Sequence, residues 1–220
     1  MDDYQRSLET FFDEYATQVD SWHRKNAGYH KAIASLARFY IPSGARVLEH
    51  GSGNGDLLAA LDPFDGWGID ISSAMVRLAA AKYPRLNFRR MAAESLDRQG
   101  KQFDYIILLV FERLRAVYHT RTRIILNWYS KLWQPILVLS EKLGLKYPQP
   151  LLNWTTPEDI RNLLQLAGFE IVRTERHLLL PKRVPLLNWV ANRYLAHCPG
   201  LNWRTQYTPT AEEPVAVAAR

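Results

Sequence analysis

Val47-Leu48-Glu49-His50-Gly51-Ser52-Gly53-Asn54-Gly55-Asp56-Leu57-Leu58 decides how this chain folds. An apolar strand ends at an acid, glycine follows at three alternate positions, and helix-forming residues begin at once. Glycine has no Cβ, so such a loop turns sharply and lets a ligand approach the main-chain amides. Strand, glycine loop and helix in that order open a parallel sheet with helical crossovers.

Two kinds of cofactor use such a loop. A dinucleotide needs G-x-G-x-x-G, whose third glycine lets helix and strand pack while amides hold the pyrophosphate. Counting from Gly51, that position is Asp56; counting from Gly53, it is Leu58. Neither register fits. Glu49 would repel a pyrophosphate, whereas it suits a ligand bearing an ammonium and a sulfonium. S-adenosylmethionine carries both, and the loop, with Ser52 between its glycines, reads as its pocket. Asp70 ends Gly66-Trp67-Gly68-Ile69-Asp70, fifteen residues after Gly55. In a doubly wound sheet the neighbouring strand ends beside the first, so this carboxylate is placed to take both ribose hydroxyls.

The same alternation continues outward. Strands are expected at 46–49, 66–71, 86–91, 103–110, 123–128, 169–174 and 214–219, with helices at 56–61 and 73–82. Ser72 or Ser73 is placed to cap the second helix. A later helix is marked by Thr155 or Thr156 as cap, Pro157 in the first turn, acidic Glu158-Asp159, and Gly168 as its stop. Upstream, residues 4–39 repeat apolar positions at helical spacing (Leu8, Phe11, Phe12, Tyr15, Val19, Trp22), giving one or two helices broken near Asn26-Ala27-Gly28.

Residues 45–110 resemble the cofactor half of class I S-adenosylmethionine-dependent methyltransferases, of the small-molecule kind called methyltransferase type 11. The glycine motif with Glu49, then Asp70, then Phe103-Asp104-Tyr105-Ile106-Ile107 carry the resemblance. It continues more loosely through 155–175 and the last strand. The resemblance implies that Ile71 packs on the adenine, that the loop backbone at Gly51 and Gly53 meets the methionine part, and that backbone near Leu108 and Leu109 helps hold it. It implies a Rossmann-like, doubly wound α/β fold: a mainly parallel seven-stranded sheet, an antiparallel last strand and an N-terminal helical cap. One domain is then expected, with the cap at 1–42, the cofactor half at 45–110 and a substrate half at 111–220 containing an insertion at 128–154. Two departures stand out. The family's acid after the third strand falls on Ala92 in Ala92-Ala93-Glu94-Ser95-Leu96, which leaves Glu94 or backbone near Ala93 for the adenine. Between Val110 and Arg123 the chain is short, and His119-Thr120-Arg121-Thr122 stands where the family often has P-G-G.

The acceptor is less legible. Methyl transfer needs mostly positioning and exclusion of water. A general base is required only for a nucleophile whose proton has a high pKa, and His119 is the candidate, against a plain surface-loop reading. An Asn/Asp-Pro-Pro-aromatic run after the fourth strand is absent, which disfavours nucleobase or glutamine nitrogen and favours oxygen on a small or lipid-linked acceptor. Tyr15 and Trp22 are the candidates for a lid over the cofactor; core packing is the plainer reading of the other aromatics. The alternative from another class is a non-catalytic binding or partner protein keeping the fold.

Composition bounds these readings. Of 220 residues 47% are hydrophobic, one is cysteine (Cys198), and the formal charge is +6. A disulfide framework and cysteine-rich metal sites are thereby excluded. Residues 1–20 carry a net −5 and the remainder +11, with the excess in the C-terminal half. That excess reads as a solvated basic face, an anionic membrane surface or a phosphorylated or nucleic-acid partner. No run of five like charges and no RNA-binding module appear, so nucleic acid is the weaker choice. Residues 178–203 mix leucines with Lys182, Arg183 and Arg193, which suits peripheral membrane contact or a helix on the sheet. With no long apolar run and no leader pattern at Asp2-Asp3, a cytoplasmic setting is the expectation.

Overall fold

The computed structural model of the 220-residue chain describes residues 3–91, 102–108, 123–127, 138–139, 141–144, 146–148, 157–166, 170–175 and 215–219. The elements run α1 (Asp3–Tyr15), α2 (Val19–Lys25), α3 (Ala27–Tyr40), β1 (Arg46–His50), α4 (Asp56–Leu61), β2 (Asp65–Asp70), α5 (Ser73–Lys82), β3 (Asn87–Arg90), β4 (Tyr105–Leu108), β5 (Arg123–Asn127), α6 (Pro157–Leu166), β6 (Glu170–Glu175) and β7 (Val215–Ala219). Five strands pair in parallel in the order β3-β2-β1-β4-β5. Beyond β5, β7 pairs antiparallel with both β5 and β6.

Strand parity explains how the sheet is covered on both faces. The register sets Leu48 beside Ile106 and Ile106 beside Ile124. Those side chains share one face and pack with Ile69, Phe103 and, from α6, Ile160 and Leu164. Val47, Ile107 and Ile125 share the other face and pack under Ala37 and Ile41 from the α3 end and Leu58 and Leu61 of α4. Because both faces are buried, the central strands read as near-continuous apolar runs. Each fully buried Ile or Leu contributes about 1.5–3 kcal/mol relative to an exposed one.

The edge of the sheet away from the glycine loop is pinned by charge. Asp104 receives Arg46 through Nη2 at 2.8 Å, Nε at 3.2 Å and the backbone N–H at 2.9 Å, tying the start of β1 to the turn before β4. That pair builds the scaffold, and the site lies at the opposite strand ends.

The N-terminal segment forms three helices, where periodicity alone suggests one or two. The break at Asn26 is where the sequence places it, and a second falls at residues 16–18. Ser72 caps α5, its hydroxyl accepting from the Met75 N–H at 3.0 Å. The candidate caps Thr155 and Thr156, the stop Gly168, most of the insertion at 128–154, and the segment 178–203 lie outside the described residues. Among the described residues, no helix is long and apolar enough to cross a membrane, and no metal-ligating cluster occurs.

Candidate cofactor-binding site

β1 lies between β2 and β4, so the crossovers on its two sides diverge and leave a crevice beyond its carboxyl end. The loop at this switch point is fixed by its own backbone. The N–H groups of Gly51 and Ser52 both donate to the Ile69 carbonyl, at 2.8 and 3.0 Å, and Gly55 N–H donates to Ser52 C=O at 2.9 Å. Gly51 and Gly53 have φ of 73° and 50°, in the left-handed region where a side chain is strained. A Cβ at either position would meet nothing within 4 Å, so both present bare backbone to open space. The buried Ser52 hydroxyl, between them, has no hydrogen-bond partner among the described residues.

Gly55 behaves differently from the expectation. A Cβ there would come within 2.7 Å of Phe88 Cζ and 3.2 Å of Ala79 Cβ. Its bareness accommodates the packing of β3 and α5, whose side chains Phe88 and Ala79 fill the space a Cβ would take.

Asp70 stands at the end of β2, only 8% exposed. One carboxylate oxygen accepts from Gly53 N–H at 2.8 Å and the other from Ser72 N–H at 2.9 Å. Burial raises its pKa above the ordinary carboxylate value, against those backbone hydrogen bonds. With about four lone-pair sites, the carboxylate keeps room for a further donor. Ile71 follows, half-buried, its carbonyl accepting from Arg90 Nε at 3.3 Å.

Glu49 is also placed otherwise than the charge argument supposes. Sheet parity puts it on the Val47 face, under α4. It is 1% exposed, and its carboxylate accepts from Leu58 N–H at 3.0 Å. Burial drives its pKa well above the usual range. Its observed work is to receive an amide of the first turn of α4, behind the loop.

The helical cap grips this crevice at two points. Asp13 of α1 accepts from the Ser72 hydroxyl at 2.5 Å and from the Ala74 N–H at 3.0 Å. Burial opposes its ionisation, but the hydrogen bonds from Ser72, Ala74 and Ser73 prevail and lower its pKa. In the glycine loop, Asn54 is 2% exposed and its amide donates to Asp20 of α2 at 2.8 Å and to Asp56 at 3.0 Å. Lys82 bridges Asp20 and Asp56 at 2.8 and 2.6 Å, and Tyr83 donates to Asp56 at 2.7 Å. Despite burial, which raises it, the Asp56 pKa is depressed by His23, Lys82 and Tyr83.

Tyr15 and Trp22, the expected lid residues, come together around Tyr147. Ring centroids lie 4.5 Å apart for Tyr15 and Tyr147, 5.9 Å for Trp22 and Tyr147, and 5.8 Å for Phe11 and Tyr147. Burial pushes the Tyr15 hydroxyl up to about 12, so it stays protonated. Ala93, Glu94, Leu109 and His119 lie outside the described residues.

A family model described as a methyltransferase domain matches residues 47–129, the segment that holds the glycine loop, Asp70 and β4. Over these residues the chain is similar to a methyltransferase domain. Solved structures share the fold across almost the whole chain. One chain of the Haloferax volcanii complex that contains the Trm112 methyltransferase activator superposes with a TM-score of 0.65 at 17% identity, covering 94% of this chain and 96% of that one. Magnesium protoporphyrin IX methyltransferase from Synechocystis, with bound S-adenosylhomocysteine, gives 0.63 at 18% identity over 99% and 100%. An S-adenosylmethionine-dependent methyltransferase from Thermotoga maritima gives 0.62 at 14% identity over 96% and 98%. No curated protein sequence matches the chain.

The residues of the matched segment fit S-adenosylmethionine, the cofactor of that family. Bare backbone at Gly51 and Gly53 and the buried Asp70 carboxylate converge on one crevice, while the Ser52 hydroxyl is buried over Gly68 of β2. Sequence reasoning missed Asn54, Asp13 and Asp20 as site residues; Tyr147 stood among the insertion aromatics that could join the N-terminal helices in a lid, with packing as the plainer reading. Asn54 is within the quoted motif, but nothing local tells that its amide reaches 34 residues back to Asp20.

Proposed function

We propose that this methyltransferase domain binds S-adenosylmethionine and transfers its methyl group to a small or lipid-linked acceptor, at oxygen. The observation that carries the reading is the Asp70 carboxylate, fixed by the Gly53 and Ser72 amides beside the open backbone of Gly51 and Gly53. The bound cofactor supplies an electrophilic methyl on a sulfonium, open to in-line displacement. Asp70 accepts the two ribose hydroxyls, a charge-assisted arrangement for which its lone pairs remain free. The Gly51–Gly53 backbone lies against the methionine part, and Ile71 covers the adenine. Phe11, Tyr15, Trp22 and Tyr147 supply an apolar roof that excludes water and receives an apolar acceptor. Oxygen is preferred because no Asn/Asp-Pro-Pro-aromatic run follows β4. His119 is the proposed base where the acceptor hydroxyl needs one. Residues 178–203 are proposed to rest on a membrane surface when the acceptor is lipid-linked.

Calorimetric titration with S-adenosylmethionine and with NAD tests the cofactor assignment, and NAD binding alone would discard it. Incubation in a cell extract then tests the reaction. A metabolite heavier by one methylene unit, formed only with active protein and S-adenosylmethionine, is the expected result. A second reading, a binding protein without catalysis, is favoured by Ala92 in the acid's place and by the short segment between Val110 and Arg123. Tight cofactor binding with no methylated product from any extract would support it.

A further inference from the structure

We infer that Asp13 and Asp20 are positioning residues: docked on Ser72 and Asn54, they hold the ribose-binding carboxylate and the glycine loop in register, so that cap docking and cofactor binding reinforce each other. This rests on the cofactor reading above and deepens it.

The inference comes from a continuous line of hydrogen bonds that begins and ends on the cap. Asp13 accepts from Ser72 Oγ at 2.5 Å, and the Ser72 N–H donates to Asp70 Oδ1 at 2.9 Å. Asp70 Oδ2 accepts from Gly53 N–H at 2.8 Å. The next residue, Asn54, donates its amide to Asp20 at 2.8 Å. Every link between the two cap carboxylates is a group that shapes the crevice. Neither carboxylate fills the core: α1, which carries Asp13, has no buried residue, and the Asp20 side chain is 38% exposed. Simple attachment of the cap would be served by contacts anywhere on the body, such as Glu9 with Arg90. Asp13 and Asp20 instead select Ser72, beside the ribose acid, and Asn54, inside the loop.

Other charges around the two groups are accounted for. Arg77 faces Asp13, and Lys82 is shared by Asp20 and Asp56. Coupling by linkage is reciprocal: if the docked cap favours the ligand-ready loop, the ligand must favour the docked cap by the same factor.

The test uses the full chain and S-adenosylhomocysteine as the probe. Calorimetry compares wild type with Asp13→Ala, Asp13→Asn and Asp20→Ala, and amide exchange is followed in residues 3–25. Asp13→Ala and Asp20→Ala are expected to weaken binding by about tenfold, within the usual range of such couplings. Asp13→Asn keeps an oxygen for Ser72 and Ala74 and is expected to retain most of the affinity. The probe should slow exchange in α1 and α2 of wild type and do so less in Asp13→Ala. Exchange in β1 and β4 reports whether each variant is folded, and the wild-type exchange result needs no variant. Unchanged affinity in both alanine variants, or no slowing in wild-type α1 and α2, overturns the coupling while leaving the cofactor reading intact. A wild type that does not bind the probe overturns the cofactor reading itself.

Discussion

Asp70 is a carboxylate that burial pushes toward its neutral form, opposed by the backbone N–H groups of Ser72, Gly53 and Ile71. Replacing Asp70 by Ala is expected to weaken S-adenosylhomocysteine binding by roughly 1–3 kcal/mol, the cost of losing a charge-assisted partner, and titration calorimetry measures it. An unchanged dissociation constant would remove Asp70 from the site. Glu49 makes a separate prediction through pH. Its pKa is raised in the folded chain, so its stabilising contribution is complete below the ordinary value of 4.5 and is lost as pH rises through the folded value. Glu49→Gln cannot ionise, keeps an oxygen for Leu58 N–H, and should gain on wild type as pH rises toward neutrality. Ligand-free melting curves across that range check it, and parallel curves for the two proteins would contradict it. The glycine spacing and the strand-ending acid single out Gly51, Gly53 and Asp70 in the sequence, and the structure brings them together because strand, loop and strand lie close along the chain. Gly55 and Glu49 also stand out in the sequence, and the structure packs Gly55 against Phe88 and sets Glu49 on the Leu58 N–H. Which way each faces depends on strand parity and on Phe88, and neither is local.

At the scale of elements, the apolar runs and caps placed the helices at 56–61 and 73–82 where they occur, and the strands to within two residues at each end. The break at residues 16–18 carried no glycine or proline to announce it. His30 of α3 stacks on His23 of α2, with ring centroids 3.8 Å apart. Burial lowers its pKa to about 4, helped by the charge of His23 and opposed by Asp56. A depressed histidine favours the folded state above its unfolded value of 6.5, and that contribution is lost as pH falls from 6.5 toward about 4. Denaturation between those limits should therefore weaken the chain by about 1–3 kcal/mol, and His30→Phe should flatten that part of the profile. A His30→Phe profile as steep as wild type would sink this explanation. Ser72 makes the second prediction at this scale. Ser72→Ala removes the cap of α5 together with the Asp13 contact, and is expected to cost about 1–2 kcal/mol in urea unfolding.

Over the whole molecule, a segment with a net charge of −5 in its first twenty residues docks on a body that carries +11. The contacts match that division: Glu9 pairs with Arg90, and Asp20 with Lys82. Exposed charges are screened within about 10 Å at 0.1 M salt and more strongly above it. Protease cleavage in α1 should accordingly accelerate several-fold between low and high salt while cleavage in the sheet does not, and equal rates would contradict an electrostatic docking of the cap. The charge asymmetry was visible in the sequence, but its partner was not: Asp13 meets Ser72 across 59 residues, and only the folded sheet brings them together. The central claim is a single crevice made of the loop backbone and one carboxylate. A crystal structure of the chain with S-adenosylhomocysteine tests it most directly. The account predicts the ribose hydroxyls on Asp70 and the amino-acid part against Gly51 and Gly53; ligand density anywhere else, with Asp70 bonded only to Gly53 and Ser72, would contradict it.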